Sequence, residues 1–506
     1  MKLSQKILTQ VRGNVHVPAQ AHLQLPEKVL QFGTGVLLRG LPDYFIDKAN
    51  KAGLFNGRVV VVKSTGGGAA DFDGQDNLYT LCIRGVAGGE QVTENWINAA
   101  ISRVLSAGEH WQQILACAHS AAMEVVISNT TEVGITLSDD DIFAAPPASF
   151  PGKLLAFLYE RFRHFKGDAE KGMVIIPAEL IPDNGTKLKE IVLELATRNK
   201  LEAAFITWLN TANHFCNSLV DRIVPGRLPA EEQANVEKEL GYTDGLMIMA
   251  EAYRLWAIET DSEKVKAVLS FNEADEGVVI VPDINLFREL KLRLLNGSHT
   301  LSCGLAVLAG FDTVKDAMDD PEMEGYIRAL LRQELVPAIT DLYIREETAM
   351  TFAEAVLDRF RNPYIAHRWL AITMQYTSKM KMRDVPVLLK HYQRTQEVPR
   401  LIALGFAAHL LFMRSRKDTS GQYTGEVNGQ TYLIQDDFAA WYHDKWQRLE
   451  PAVLVKEVLG DTAVWGTDLT AVKGFAHTVT VLLGDMLREG ARAMLSGSLR
   501  DSSMPL

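Results

Sequence analysis

Lys28-Val29-Leu30-Gln31-Phe32-Gly33-Thr34-Gly35 (residues 28–35) decides the fold. Its first five residues read as a short strand, and the chain then passes through Gly33-Thr34-Gly35 into a helical stretch that runs to Ala49. A strand handing over to a helix through GxG presents backbone amides at a helix N-terminus, where a pyrophosphate can rest. The third glycine of GxGxxG is missing, since Leu38 stands there ahead of Arg39-Gly40. A bare GxG is also an ordinary tight turn, so its weight depends on the segments C-terminal to it.

Several more strands of the same kind are present. Arg58 to Val62 (RVVVV), Met123 to Ser128 (MEVVIS) and Gly172 to Pro177 (GMVIIP) are continuous apolar, β-branched runs. Such runs suit strands buried on both faces. Helical stretches such as Trp96 to Leu105 and Gly152 to Phe165 lie between them. Repeated βα units predict an α/β fold with a Rossmann-like, doubly wound parallel sheet and ligands at the carboxyl ends of its strands. After a last strand, Gly277 to Val281, the rest reads mostly as amphipathic helix, including Asp283 to Leu295 and His299 to Leu308. One exception is Gly421 to Ile434, where Asn428-Gly429 marks a hairpin turn. The boundary falls near residue 276, giving a Rossmann-like nucleotide-binding domain over 1–275 and a mostly helical catalytic and substrate domain over 276–506.

The chain has 506 residues, 47% of them hydrophobic, enough for more than one packed core. A net charge of −11 with interspersed signs argues against nucleic acid or an anionic membrane surface as partner. No apolar run reaches the ~20 residues of a spanning helix. Met1 to Val17 is polar and mixed, unlike a signal peptide. Cys82, Cys117, Cys216 and Cys303 are far apart and form no CxxC pair. They read as reduced, buried thiols of a cytoplasmic protein, without a structural metal.

Two groups of residues carry the chemistry. At the carboxyl edge of the sheet, Lys63 stands where an acid would bind a ribose 2′-hydroxyl, ahead of the glycine run 66–68. Lys63 either favours a 2′-phosphate or caps the strand in solvent. Ser128, Asn129 and Thr130 come after another core strand and either contact the nicotinamide ribose or, with Thr131 and Glu132, cap a helix. In the second half, Lys291, Asn296 and His299 form K-x4-N-x2-H. On an α-helix Asn296 lies ~140° and His299 ~80° round from Lys291, so the three can share a face. A lysine and hydrogen-bond donors converging on one oxygen polarise a ketone for hydride attack. A solvated polar face ending at Asn296-Gly297 is the plain alternative.

Eight segments together resemble the long-chain mannitol dehydrogenase family of polyol and uronate oxidoreductases. They are QFGTGVLLRG (31–40), QDNLYT (75–80), SNTTEVGI (128–135), PAELIPDNG (177–185), LVDRIVPG (219–226), ELGYTDG (239–245), KLRLLNGSH (291–299) and RFRNPYIAH (359–367). The resemblance implies that Lys291 is the catalytic acid/base, that Asn296 and Asn184 bind the oxyanion and that His299 orients the substrate. It also implies NAD(H) dependence and no metal, in keeping with a pyrophosphate at the Gly33 and Gly35 turn read above. Lys291 would need its pKa lowered toward neutrality, which a partly dry cleft between the domains would supply.

Within the family the similarity points to keto-uronate reduction, tagaturonate first, with fructuronate reduction or mannitol oxidation as alternatives. A uronate carboxylate needs a cation, and Arg361, His367 and Lys379 are the choices, with Arg359 and Arg361 equally able to form a structural ion-pair network. Asp221 is a candidate for a substrate hydroxyl or for a structural ion pair. The expected partner is therefore a small uronate or aldonate, bound by a monomer or simple homo-oligomer. A non-catalytic nucleotide sensor is disfavoured, because such scaffolds usually lose the groups that survive here.

Overall fold

The computed structural model describes residues 1–64, 69–130 and 134–501, with side chains described to residue 496. The glycine run 66–68 and the pair Thr131 and Glu132 lie outside these residues. The chain divides into two compact units, Met1–Arg84 with Gln91–Asn285 and Gly85–Glu90 with Leu286–Leu506.

The first unit is built on six parallel strands. In spatial order they are Ile101–Ser106, Arg58–Lys63, Glu27–Phe32, Val125–Ser128, Val174–Pro177 and His214–Phe215. Every neighbouring pair is parallel. In chain order this is the 3-2-1-4-5-6 arrangement of a doubly wound sheet. The winding reverses between Glu27–Phe32 and Val125–Ser128, which leaves a crevice at their carboxyl ends. The continuous apolar runs result from the pleat. Val29, Val59, Val61, Val125 and Ile127 enter one buried cluster, and Leu30, Val60, Val62 and Val126 enter another on the opposite face.

Trp96 to Leu105 is not helical. The strand Glu90–Asn98 ends there and Ile101–Ser106 begins, the latter forming the edge of the main sheet. A register shift explains the misreading. Val59 pairs with Ile101 but Val60 pairs with Arg103, so Ser102 is an extra residue in the strand. The bulge places Ile101, Val104 and Leu105 at helix-like intervals. Two three-stranded sheets add to the expected pattern, one of them holding the expected last strand, Val278–Val281. One comprises Ile248–Glu251, Tyr79–Ala87 and Glu90–Asn98, and the other Val278–Val281, Leu255–Glu259 and Ser218–Asp221.

The second unit is mainly helical. Asn285–Leu290, Lys291–Asn296 and Gly297–Leu308 run on as a single helix, and Asn296 and Gly297 keep right-handed helical angles. Asn296-Gly297 therefore does not end the helix. The middle segment, Lys291–Asn296, is π-helical. A second π-segment, Leu330–Leu335, joins Pro321–Ala329 to Val336–Ile339. The expected hairpin is present: Val427 pairs with Gln430 across Asn428 (φ 50°) and Gly429 (φ 75°).

Candidate active site

Gly33 and Gly35 occupy the reversal point of the sheet in the first unit. Gly33 has φ +123°, and a Cβ there would lie 2.8 Å from the carbonyl oxygen of Asn129 on the neighbouring strand end. Gly35 caps the short helix Val36–Gly40 with extended angles, and a Cβ built on it meets nothing within 4 Å. Open space directly before a helix N-terminus at the switch point fits a dinucleotide pyrophosphate. Lys63 ends the adjacent strand Arg58–Lys63, half-buried, where an acid would otherwise stand.

Ser128, Asn129 and Thr130 tie two strand ends together. The Ser128 hydroxyl donates to Glu179 at 3.0 Å. The Thr130 amide and hydroxyl donate to the same carboxylate at 3.0 and 3.1 Å, and the Asn129 amide donates to the Ala178 carbonyl at 2.7 Å. Glu179 is buried, and burial raises its pKa although these donors oppose the shift. The sequence reading passed over it; an acid directly after a core strand was the available signal.

Asn184 has a different surrounding from the one expected. Both of its amide hydrogens are engaged, with the carbonyls of Glu179 and Ser218 at 3.0 Å each. Its oxygen accepts from the amides of Gly185 and Ser218 at 2.9 Å each. An amide has two N–H donors, so none is left for an oxyanion while this arrangement holds. Asn184 fastens the start of the helix Asn184–Arg198 to the strand Ser218–Asp221. Asp221 is buried at the end of that strand. Arg222 beside it donates to the carbonyls of Gly40 (2.7 Å) and Glu251 (2.9 Å), a structural role.

In the second unit the π-segment alters the helical wheel. On an α-helix Asn296 would be ~140° from Lys291. In an i→i+5 ladder a residue five positions on is just past a full turn. Asn296 therefore lies beyond Lys291 on the same face, and His299, three α-helical positions later, continues it. Lys291 and Asn296 are both half-buried. The His299 ring stacks on Phe360 (centroids 4.0 Å apart) and meets His367 (5.2 Å) and Trp369 (5.9 Å) edge-on. Its Nε2 is buried and has no hydrogen-bond partner. Burial, reinforced by His367, Arg359, Arg383 and Lys379, holds its pKa well below 6.5, so the ring is neutral.

The cations divide into two groups. Arg361 is in an ion-pair network, with Glu324 at 2.8 Å and Asp358 at 3.4 Å, as in the structural alternative left open for it. His367 and Lys379 lie near His299, and burial lowers the pKa of both. Lys379 donates to the Ile372 carbonyl at 2.9 Å. Arg383, which the sequence reading did not single out, donates to the Thr300 hydroxyl at 3.0 Å and the Asn296 carbonyl at 3.4 Å. Among the described residues, no group of three or more His, Cys, Asp or Glu side chains is arranged to hold a metal ion, and no helix is long and apolar enough to cross a membrane.

Comparison with known proteins agrees with this architecture. Residues 27–270 match the model of the mannitol dehydrogenase Rossmann domain, and residues 283–487 match that of the mannitol dehydrogenase C-terminal domain. The altronate oxidoreductase of Yersinia enterocolitica is 38% identical over 493 residues, covering 95% of this chain and 98% of that protein. The Bacillus subtilis altronate oxidoreductase is 38% identical over 480 residues, covering 94% and 95%. Two solved structures share the fold. Pseudomonas fluorescens mannitol 2-dehydrogenase, in a ternary complex with NAD and D-mannitol, has a TM-score of 0.66 at 23% identity, covering 99% of this chain and 100% of that one. A substrate-free D-sorbitol dehydrogenase has a TM-score of 0.75 at 21% identity, covering 98% and 100%. This chain belongs to the mannitol dehydrogenase family and is an oxidoreductase acting on CH–OH groups.

Proposed function

We propose that this protein is an NAD(H)-dependent keto-hexuronate reductase, with tagaturonate and altronate as the favoured pair. The observation that supports the reading is the π-helical segment Lys291–Asn296, in whose wide turn Lys291, Asn296 and His299 can share one face. The relatives named altronate oxidoreductase support the choice of substrate.

The turn at Gly33 and Gly35 would hold the pyrophosphate of a nicotinamide dinucleotide, which when bound supplies a hydride for the carbonyl carbon. The side chains of the second unit act on the oxygen. The Asn296 amide donates a hydrogen bond to the developing alkoxide, and losing such a donor typically costs ~2.7–4 kcal/mol of barrier. Lys291 delivers the proton. His299, neutral and with its Nε2 buried beyond any protein partner, orients the substrate through one hydrogen bond. Asn184 supports the sheet edge and is left out of this set. The reading needs no metal, because protein groups supply the proton and the oxyanion donors. Four reduced, buried cysteines suit a cytoplasmic setting.

The test is NADH oxidation with tagaturonate, fructuronate and fructose side by side, repeated with NADPH. Tagaturonate should give the highest kcat/KM, and NADH should exceed NADPH. A preference for fructose over both keto-uronates would defeat the substrate assignment.

A further inference from the structure

Lys379 and Arg383 lie one turn apart on the short helix Tyr376–Arg383, so two like charges share a face. Such i,i+4 pairs repel even on an exposed helix. Here burial lowers the pKa of both groups, and for Lys379 Arg383 is the next largest cause. No carboxylate among the described residues forms a salt bridge with either. Asp436 is directed to the amides of Thr377 (2.7 Å) and Phe438 (2.8 Å). Asp384 is next to Arg383 in sequence, yet both of its oxygens are buried without hydrogen-bond partners and burial holds its carboxyl in the protonated direction.

The Arg383 guanidinium is only partly engaged. Nη1 holds Thr300 and Asn296, while Nε is buried without an acceptor. The Nε–Nη2 edge is the side of the fork that donates two parallel bonds to a carboxylate. Arg361, by contrast, has its acids already in place.

We infer that Arg383, supported by Lys379, is the seat for the carboxylate of a sugar acid, taken edge-on through Nε and Nη2; this rests on the sugar-acid reading of the enzyme. Because Nη1 also holds the Asn296 carbonyl, the same guanidinium links the anion to the π-segment. It is a specificity-determining group, distinct from the proton donor.

The experiment compares wild type, Arg383→Gln and Arg383→Lys. Arg383→Gln should lower kcat/KM for tagaturonate about ten- to a hundredfold more than for fructose, mainly through KM. Arg383→Lys should fall between, since it keeps the charge without the fork. Equal losses on both substrates, or no loss, would make Arg383 a purely structural clamp. Calorimetric binding of D-altronate and D-altritol separates the two readings. If wild type reduces no keto-uronate, the enzymatic reading falls, but the seat still requires D-altronate to bind at least about tenfold tighter than D-altritol, a margin lost in Arg383→Gln. A wild type that does not distinguish acid from polyol overturns the seat. Should Arg383→Gln fail to fold, Arg383→Lys carries the same comparisons.

Discussion

Gly33 and Gly35 are two residues apart, yet replacing them should damage different properties. At Gly33 an L side chain meets two penalties. The first is φ +123°, a region costing about 1–3 kcal/mol for a non-glycine residue. The second is a Cβ 2.8 Å from the Asn129 carbonyl oxygen and 3.0 Å from Leu38 Cδ1, an overpacking worth about 1–3 kcal/mol. Together Gly33→Ala should cost roughly 2–6 kcal/mol, lowering the melting temperature of its unit by roughly 5–20 °C. Gly35 has ordinary extended angles and open space where its Cβ would be. Gly35→Val should therefore melt within a few degrees of wild type but weaken NADH binding at least about tenfold, by filling the space before the helix N-terminus. Differential scanning fluorimetry and NADH fluorescence titration measure the two effects. A Gly33→Ala protein as stable as wild type, or a Gly35→Val protein that binds NADH normally, would refute the division of labour.

Three other outcomes are expected. Lys291→Ala should fold and bind NADH but lose about 10²–10⁴ in kcat, partly restored by small amines; near-normal turnover would move proton transfer to another group, His299 first. His409, wholly buried with its pKa lowered from 6.5 to about 3, stays neutral in the native state while the unfolded chain takes up a proton below pH 6.5. Its contribution is thus lost as pH falls, by about 1.4 kcal/mol per pH unit. Glu334, raised by burial from 4.5 to about 7, acts in the opposite sense over that interval. Urea unfolding at pH 7 and pH 5 should therefore show wild type losing about 2 kcal/mol more than His409→Gln; equal losses would mean His409 is not desolvated. Arg361→Ala should change kcat/KM for tagaturonate and fructose alike and cost about 0–1 kcal/mol in chemical denaturation, as its side chain is about one-third exposed; a loss confined to tagaturonate would restore it as a substrate ligand.

The main sheet was legible because strands buried on both faces must be apolar throughout, and Val59 to Val62 show this in four consecutive residues. Ile101–Ser106 was hidden by its bulged Ser102, which gave a strand the spacing of a helix. The strands around Tyr79 and Ile248 were missed for another reason: buried charges such as Arg84 and Glu251 interrupt their apolar pattern. The trio Lys291, Asn296 and His299 was found by residue type and spacing, and an α-helical wheel already let the three share a face, but the π-segment itself was not legible, since no wheel of fixed pitch contains one. Arg361 and Arg383 show the remaining limit. Both are arginines near helix ends, and only the fold decides that one is paired with acids while the other keeps a buried Nε without an acceptor.

The wide turn between Lys291 and Asn296 also sets where this chain can change length. A π-turn holds one residue more than an α-turn, so deleting one residue among 292–295 would let the helix close as an ordinary α-turn. Lys and Asn would then be four positions apart and still within about 40° of each other. The same deletion inside Gly297–Leu308 would rotate everything beyond it by about 100°, taking buried residues such as Leu305 out of the core. The helix thus has a place, beside its most demanding chemistry, where the loss of one residue leaves the phase of both halves intact.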